Sequence, residues 1–390
     1  MENIKKLTEE IFEDIVAVRR HIHQHPELEY HEFETSAYIC DYLDKLGIPY
    51  TKGIAKTGVV GLIDVQAEKT LLMRADMDAL PITEEVDVPF KSVNEGVMHA
   101  CGHDAHVAML LGCATVLWKM KDKLSCNIKL LFQPAEEDAG GALPMINEGV
   151  MENPKVDAAI GAHVSNAVSA GSVLVKTGEF MASPDDFELV IHGRGGHGAL
   201  PHLCTDPIAI GAQIITGWSV LAARYTTPLE KLVISTNYFH AGTTFNVIPD
   251  DAVIRGTVRT FHPGLRKAVA KEMETIARQL AEAYGATCDF EFIFRYPPLL
   301  NDEGMTAALA KSAAEILGSD KVVYGKDPSM GGEDFAYFAE RVPATFIHVG
   351  TGNEQEGITA PWHNSHFNID ESGMKAGIMA MCQLAMEFGK

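Results

Sequence analysis

Five short apolar runs constrain this chain more than any other feature. VVGLIDV, KTLLMRAD, NIKLLFQP, VDAAIGAHV and ATFIHVG are nearly continuous in hydrophobic residues and recur with helix-like stretches such as HVAMLLGCATVLWKM between some of them. Runs without polar alternation suit strands buried on both faces, and the interleaved helices suit a sheet covered by helices. The expected class is therefore α/β, with a catalytic domain built on a helix-covered, mostly parallel sheet. At the start, Ile11, Ile15 and Val18 fall at helical spacing, Pro26 breaks that helix, and a second helix over Glu34 to Leu46 is expected to end at Gly47.

Residues 182–295 follow a different order. DDFELVIHG, a helix near PIAIGAQIITGWSVLAAR, KLVISTNYF, AVIRGTVRTF, the helix LRKAVAKEMETIARQLAEAYG and CDFEFIF read as β-α-β-β-α-β. That is the split βαβ arrangement of a ferredoxin-like sandwich. We expect an inserted α+β lid domain over 182–295, with 1–181 and 296–390 forming the catalytic part, as suits a chain of 390 residues.

The net charge of −21 repels nucleic-acid phosphates and anionic membrane surfaces, so neither is an expected partner. A small-molecule substrate is. The acidic N-terminus lacks a signal-like apolar stretch and no run of about 18 apolar residues occurs, which places the expected location in the cytoplasm. Of seven cysteines, six read as small core residues and only Cys101 lies among polar groups.

The chemistry-bearing motifs fall at expected strand ends, where open α/β sheets gather ligands. LLMRADMD carries Asp76 and Asp78; KLLFQPAEED carries Glu136 and Glu137; AAIGAHV carries His163, expected just after its strand; HACGHDAH carries Cys101, His103 and His106; WHNSHFNID carries His363 and His366, with Asp370 an expected cap for the last helix. Thiolate, imidazole and carboxylate are ligands for zinc and its neighbours. Five such groups exceed what one tetrahedral ion needs. Two ions about 3.5 to 4 Å apart would use them, with the thiolate able to bridge, and would acidify a water from ~15.7 toward ~7. One of two adjacent glutamates can then bind metal while the other moves protons. His21, His23, His25 and His31 read instead as helix-end packing and hydrogen bonding.

Two other classes stay open on the residues alone. Cys101 could be a nucleophile with His103 or His106 as its base. A metal-storage or sensing protein would also gather such ligands, though it has no use for a spare carboxylate beside Glu137.

The ordered motifs HQHPELEYHEFET, RADMDALPI, HACGHDAH, FQPAEE, GAHV, GGHGALPH, FNVIPD, GGEDF and NSHF resemble the M20 family of metallopeptidases, in its amidohydrolase branch (subfamily D), along essentially the whole chain. The resemblance implies a catalytic α/β domain interrupted by a dimerisation lid. It implies two divalent metal ions per subunit, zinc or manganese with cobalt or nickel as substitutes, held by Cys101, His103, Glu137, His163 and His366. Glu136 is implied as general base, Asp76 as the acid orienting a metal-binding histidine, and His197 as an imidazole supplied across a homodimer, or a higher oligomer, to the oxyanion. Asn246 and Arg259 are implied in substrate binding. The implied activity is hydrolysis of N-acyl amino acids, hippurate-like or N-acetylated, with an N-acetyldiaminopimelate deacetylase or small dipeptidase as alternatives.

Overall fold

The computed structural model describes residues 1–137 and 140–390. The chain divides into two compact units, Met1–Phe180 with Leu300–Asp327 and Asp334–Lys390, and Met181–Leu299 with Pro328–Glu333. Relative to the expected boundaries, the stretch 328–333 joins the second unit and the chain returns to the first a few residues later.

The first unit is built on an eight-stranded sheet. Its centre is four parallel neighbours, Asn127–Gln133, Thr70–Asp76, Ala158–Ser169 and Ala344–Gly352. Gly58–Ile63 and Tyr50–Ile54 extend one side in antiparallel pairing, and Val173–Val175 runs antiparallel to Ala344–Gly352 on the other. Every residue of Thr70–Asp76 and Asn127–Gln133 is buried, which explains why these strands read as unbroken apolar runs.

The helix His103–Lys119 is buried from His103 through Leu117 and has no polar face, as befits an element enclosed by others. Against it pack the helices Glu2–Gln24 and Met374–Glu387. In the former, Ile4, Ile11, Ile15, Val18 and Ile22 form the buried stripe. The helix Phe33–Leu46 ends in a Schellman motif: Gly47, at φ 75°, donates to the Asp44 carbonyl and Ile48 donates to that of Leu43. Asp370 caps a 3-10 turn, accepting from the Ser372 N–H, that leads into the last helix. Among the described residues no helix is long and apolar enough to cross a membrane.

The second unit is an antiparallel sheet in the order Leu232–Ala241, Asp251–Thr260, Ser183–His192, Thr287–Ile293. Its chain order is β-α-β-β-α-β, with a two-residue ribbon pairing Gly196–His197 with Val247–Ile248. In Ser183–His192 burial alternates strictly, and Phe187, Leu189 and Ile191 join Ile210, Ile214, Trp218, Val269 and Met273 in one core. The helices Pro207–Arg224 and Pro263–Ala283 start on proline and are capped by Asp206 and His262, whose side chains accept from the N–H groups of Ile208 and Leu265.

Candidate metal centre

Four segments of the first unit deliver polar side chains to one place. Thr70–Asp76 and Asn127–Gln133 lie side by side and point the same way, so the turns after them, carrying Asp78 and Glu136–Glu137, leave the sheet together. His163 comes from within Ala158–Ser169 rather than after it, in register with His348 on the neighbouring strand. The turn into the helix His103–Lys119 adds Cys101 and His103. Gly102 between them sits at φ 89°, and a Cβ there would lie 2.4 Å from the Val164 side chain, so only glycine fits between the two donors.

Two groups of donors share the Cys101 sulfur. Cys101, His103 and His163 have ligand atoms within 4.8 Å of one another, and so do Cys101, Glu137 and His363; a third group is His103, Glu136 and Glu137. Cys101 Sγ lies 3.2 Å from His163 Nε2, and Glu137 Oε2 lies 3.2 Å from His363 Nε2. His163 Nδ1 donates to the Val164 carbonyl at 2.7 Å, and His103 Nδ1 donates to the Asp78 carbonyl at 2.9 Å. A carbonyl can only accept, so each ring keeps its proton on Nδ1 and presents the Nε2 lone pair to the centre. Among the described residues, His103 Nε2 and Glu137 Oε1 are buried with no hydrogen-bond partner and lie 3.8 Å apart. Orphaned buried donors and acceptors are costly, and coordination to a cation satisfies both.

Electrostatics point the same way. Burial disfavours an imidazolium at His103, but Asp76, Asp78 and Glu137 outweigh it and push the group up to about 10, so the surroundings call for positive charge at this spot. Burial, with Glu137 and Glu136, pushes the Cys101 thiol well above its ordinary range, and burial, aided by His106, holds His163 well below its own. A thiol and an imidazole that are both neutral do not make a thiolate–imidazolium pair. A bound divalent ion deprotonates a coordinating thiol outright.

Two expectations about individual residues are corrected. Both histidines of the motif WHNSHF are exposed, and His366 turns toward Glu85, with Nδ1 3.3 Å from its Oε2. His363 is the histidine of that motif beside Glu137. Its φ of 61° is strained for a non-glycine residue, and its N–H, bonded to the Ala100 carbonyl at 2.9 Å, holds the turn one residue from Cys101. Spacing could not tell these two histidines apart, because a left-handed residue reverses which side chain faces inward. Asp76 likewise does not orient His103 through Nδ1; that bond belongs to Asp78, which also accepts the Glu137 N–H at 3.0 Å. Asp76 instead binds His106 Nδ1 through one oxygen and Arg74 through the other, at 2.7 Å. Burial favours the neutral acid at Asp76, but Arg74, His103 and His106 outweigh it and hold it well below the usual carboxylate range. His106 Nε2 accepts the Val164 N–H, so both its nitrogens are engaged and it is no base for Cys101.

The remaining expected residues sit elsewhere. Glu136 is buried beside Glu137, with the Asp334 N–H directed at its Oε1 from 3.4 Å. His197, Asn246 and Arg259 belong to the second unit. His197 pairs with Val247, its Nδ1 accepts the Ala199 N–H, and the adjacent Asn246 carbonyl accepts the Gly198 N–H, so both sit exposed on one ribbon; Arg259 is half-buried on Asp251–Thr260. Of the histidine-rich N-terminal segment, His23 is buried and bonds Asp104 and Glu84. His21 stacks on Tyr38, with ring centroids 4.4 Å apart.

Residues 72–387 match the sequence profile of peptidase family M20/M25/M40. The chain belongs to this family. It is 43% identical over 393 aligned positions to thermostable carboxypeptidase 2 of Saccharolobus solfataricus, covering 100% of this chain and 98% of that one. To the N-acyl-L-amino acid amidohydrolase of Geobacillus stearothermophilus it is 45% identical, over 78% of this chain and 82% of the other. Among solved structures, the Bacillus subtilis YXEP protein, described as a dinuclear metal-binding peptidase of the M20 family, superposes with a TM-score of 0.85 at 36% identity, covering 97% and 98% of the two chains. As an M20 enzyme the chain is a hydrolase of amide bonds, on the α/β architecture with an inserted second domain.

Proposed function

We propose that the chain cleaves the amide bond of N-acyl amino acids, R-CO-NH-CHR'-COO⁻, at a two-metal centre held by Cys101, His103, Glu137, His163 and His363. The observation that carries this reading is the Cys101 sulfur shared between two donor groups, with buried orphaned atoms on His103 and Glu137 beside it. When bound, a pair of divalent ions supplies an acidified water and a Lewis acid for the carbonyl oxygen. The chain's own residues do the rest. Glu136 takes the proton of the attacking water and returns it to the departing amide nitrogen. Asp78 keeps His103 and Glu137 in place through its carboxylate. His197, acting across a homodimer, donates to the developing oxyanion, and Asn246 and Arg259 hold the substrate's polar end. Zinc or manganese suits the mixed sulfur, nitrogen and oxygen donors.

A second reading, carboxypeptidase activity on short peptides, draws support from the full-length similarity to the Saccharolobus enzyme. Both substrate classes carry the scissile amide next to a terminal amino acid with a free carboxylate. A panel of N-acetyl and N-benzoyl amino acids and N-blocked dipeptides, with release of free amino acid as readout, separates them. The reading predicts turnover of the simple N-acyl amino acids, lost on chelation and restored by zinc or manganese. Activity that survives chelation but disappears on thiol alkylation would instead make Cys101 a nucleophile.

A further inference from the structure

The turn that follows Asn127–Gln133 carries both Glu136 and Glu137 and has no regular structure of its own over its described residues. Something must fix it. Glu32 accepts the Ala135 N–H at 3.0 Å and Asp78 accepts the Glu137 N–H, each at one point of the turn. Asp334 does more. Gln133 Nε2, at the root where the turn leaves the strand, lies 2.7 and 2.8 Å from the two Asp334 carboxylate oxygens. The Ala142 N–H, at the other root where the short helix Ala142–Asn147 begins, donates to Asp334 Oδ2 at 2.9 Å. Between these roots the backbone N–H of Asp334 is directed at Glu136 Oε1.

The clamp is itself tied to the centre. Arg74, buried on Thr70–Asp76, donates to Asp334 Oδ1 at 2.8 Å, to Gln133 Oε1 at 2.9 Å and to Asp76 Oδ2 at 2.7 Å. Asp76 in turn binds His106, whose other nitrogen accepts the N–H next to His163. Arg74, Asp76, Gln133 and Asp334 are each no more than 3% exposed. The planar guanidinium therefore sets the distance between the acid gripping the Glu136 turn and the acid reaching the His163 strand, in surroundings where an unmade bond is costly.

We infer that Asp334 is a positioning residue for the reaction: with Arg74 and Gln133 it grips both roots of the turn and sets where the Glu136 carboxylate sits. This rests on the proposed role of Glu136 as the base. Asp334→Asn keeps the shape but turns one acceptor oxygen into an amino group facing another N–H, and it removes one of the two carboxylates, Asp334 and Asp76, that receive the Arg74 guanidinium. Gln133→Met removes the same grip at one root and leaves the Asp334 carboxyl in place.

The test uses full-length protein loaded with zinc. For Asp334→Asn we expect kcat on an N-acetyl amino acid to fall by at least about tenfold, with KM within about twofold and metal content unchanged, because misplacing a catalytic group by about 1 Å costs on the order of a hundredfold. Amide hydrogen exchange in the peptide carrying Glu136 and Glu137 should quicken while that of Ala158–Ser169 stays as in the parent. Gln133→Met should show the same pattern to a lesser degree, and it decides alone if Asp334→Asn does not fold. Unchanged kcat and unchanged exchange at the turn overturn the inference, as does faster exchange throughout the unit with loss of metal, which marks a residue that only stabilises the fold. If the parent protein hydrolyses no N-acyl amino acid, the functional reading fails, and the exchange measurement still decides whether Asp334 holds the turn.

Discussion

Glu136→Gln is expected to lower kcat by about a hundred- to ten-thousandfold, the range that a positioned proton-transfer group contributes. Glutamine has the same shape and can still accept the Asp334 N–H, so the fold and the neighbouring ligands should be undisturbed. What it cannot do is take a proton from water and hand it to a leaving nitrogen. Elemental analysis of the purified variant should find the parent's metal content. The pairing of intact metal with lost turnover is the point of the experiment, since Glu137 lies one residue away and its loss would remove metal instead. Parent-like activity in the glutamine variant would remove Glu136 from the mechanism.

The second large effect separates two histidines three residues apart. His363→Ala should weaken metal binding by about a hundredfold or more, because even outer partners of metal ligands cost ten- to a hundredfold when removed. Activity measured at limiting metal should fall with it and recover partly at excess. His366→Ala, by contrast, removes an exposed ring that faces Glu85 and should leave metal affinity and turnover within about twofold, as for an ordinary surface substitution. Metal titration of the two variants side by side reads the difference. The reverse pattern would make His366, not His363, the histidine of this motif that binds metal.

That pair of residues also shows where sequence reasoning stops. Period-2 and period-3.6 patterns expose which residues face a core, so the buried strands, the helix ending at Gly47 and the β-α-β-β-α-β order of the second unit could all be read from residue types. Cys101, His103, Glu137 and His163 stood out because few other arrangements explain a thiol and imidazoles beside strand ends. In irregular turns no period exists. The motif WHNSHF gives no sign that residue 363 adopts positive φ and points its ring at Glu137. The RADMD motif hid a similar ambiguity. Asp76 ends its strand while Asp78 lies beyond it, and only the direction of the chain after the strand decides which acid meets His103. The apolar run VDAAIGAHV ends at residue 164 and puts His163 at the end of its strand, yet hydrogen bonding to the Ala344–Gly352 strand carries the strand on to Ser169. The Arg74–Asp334 contact joins residues 260 positions apart, and no local pattern announces it.

On the proposed reading Cys101 would lie between two metal ions. Anomalous diffraction at the zinc edge, from crystals of the zinc-loaded protein, tests it most directly. We predict two peaks about 3.5 to 4 Å apart, each about 2.3 Å from the Cys101 sulfur. His103 and His163 should border one peak and Glu137 and His363 the other. A single peak, or zinc held by other residues with the Cys101 sulfur packed among apolar side chains, would contradict the account.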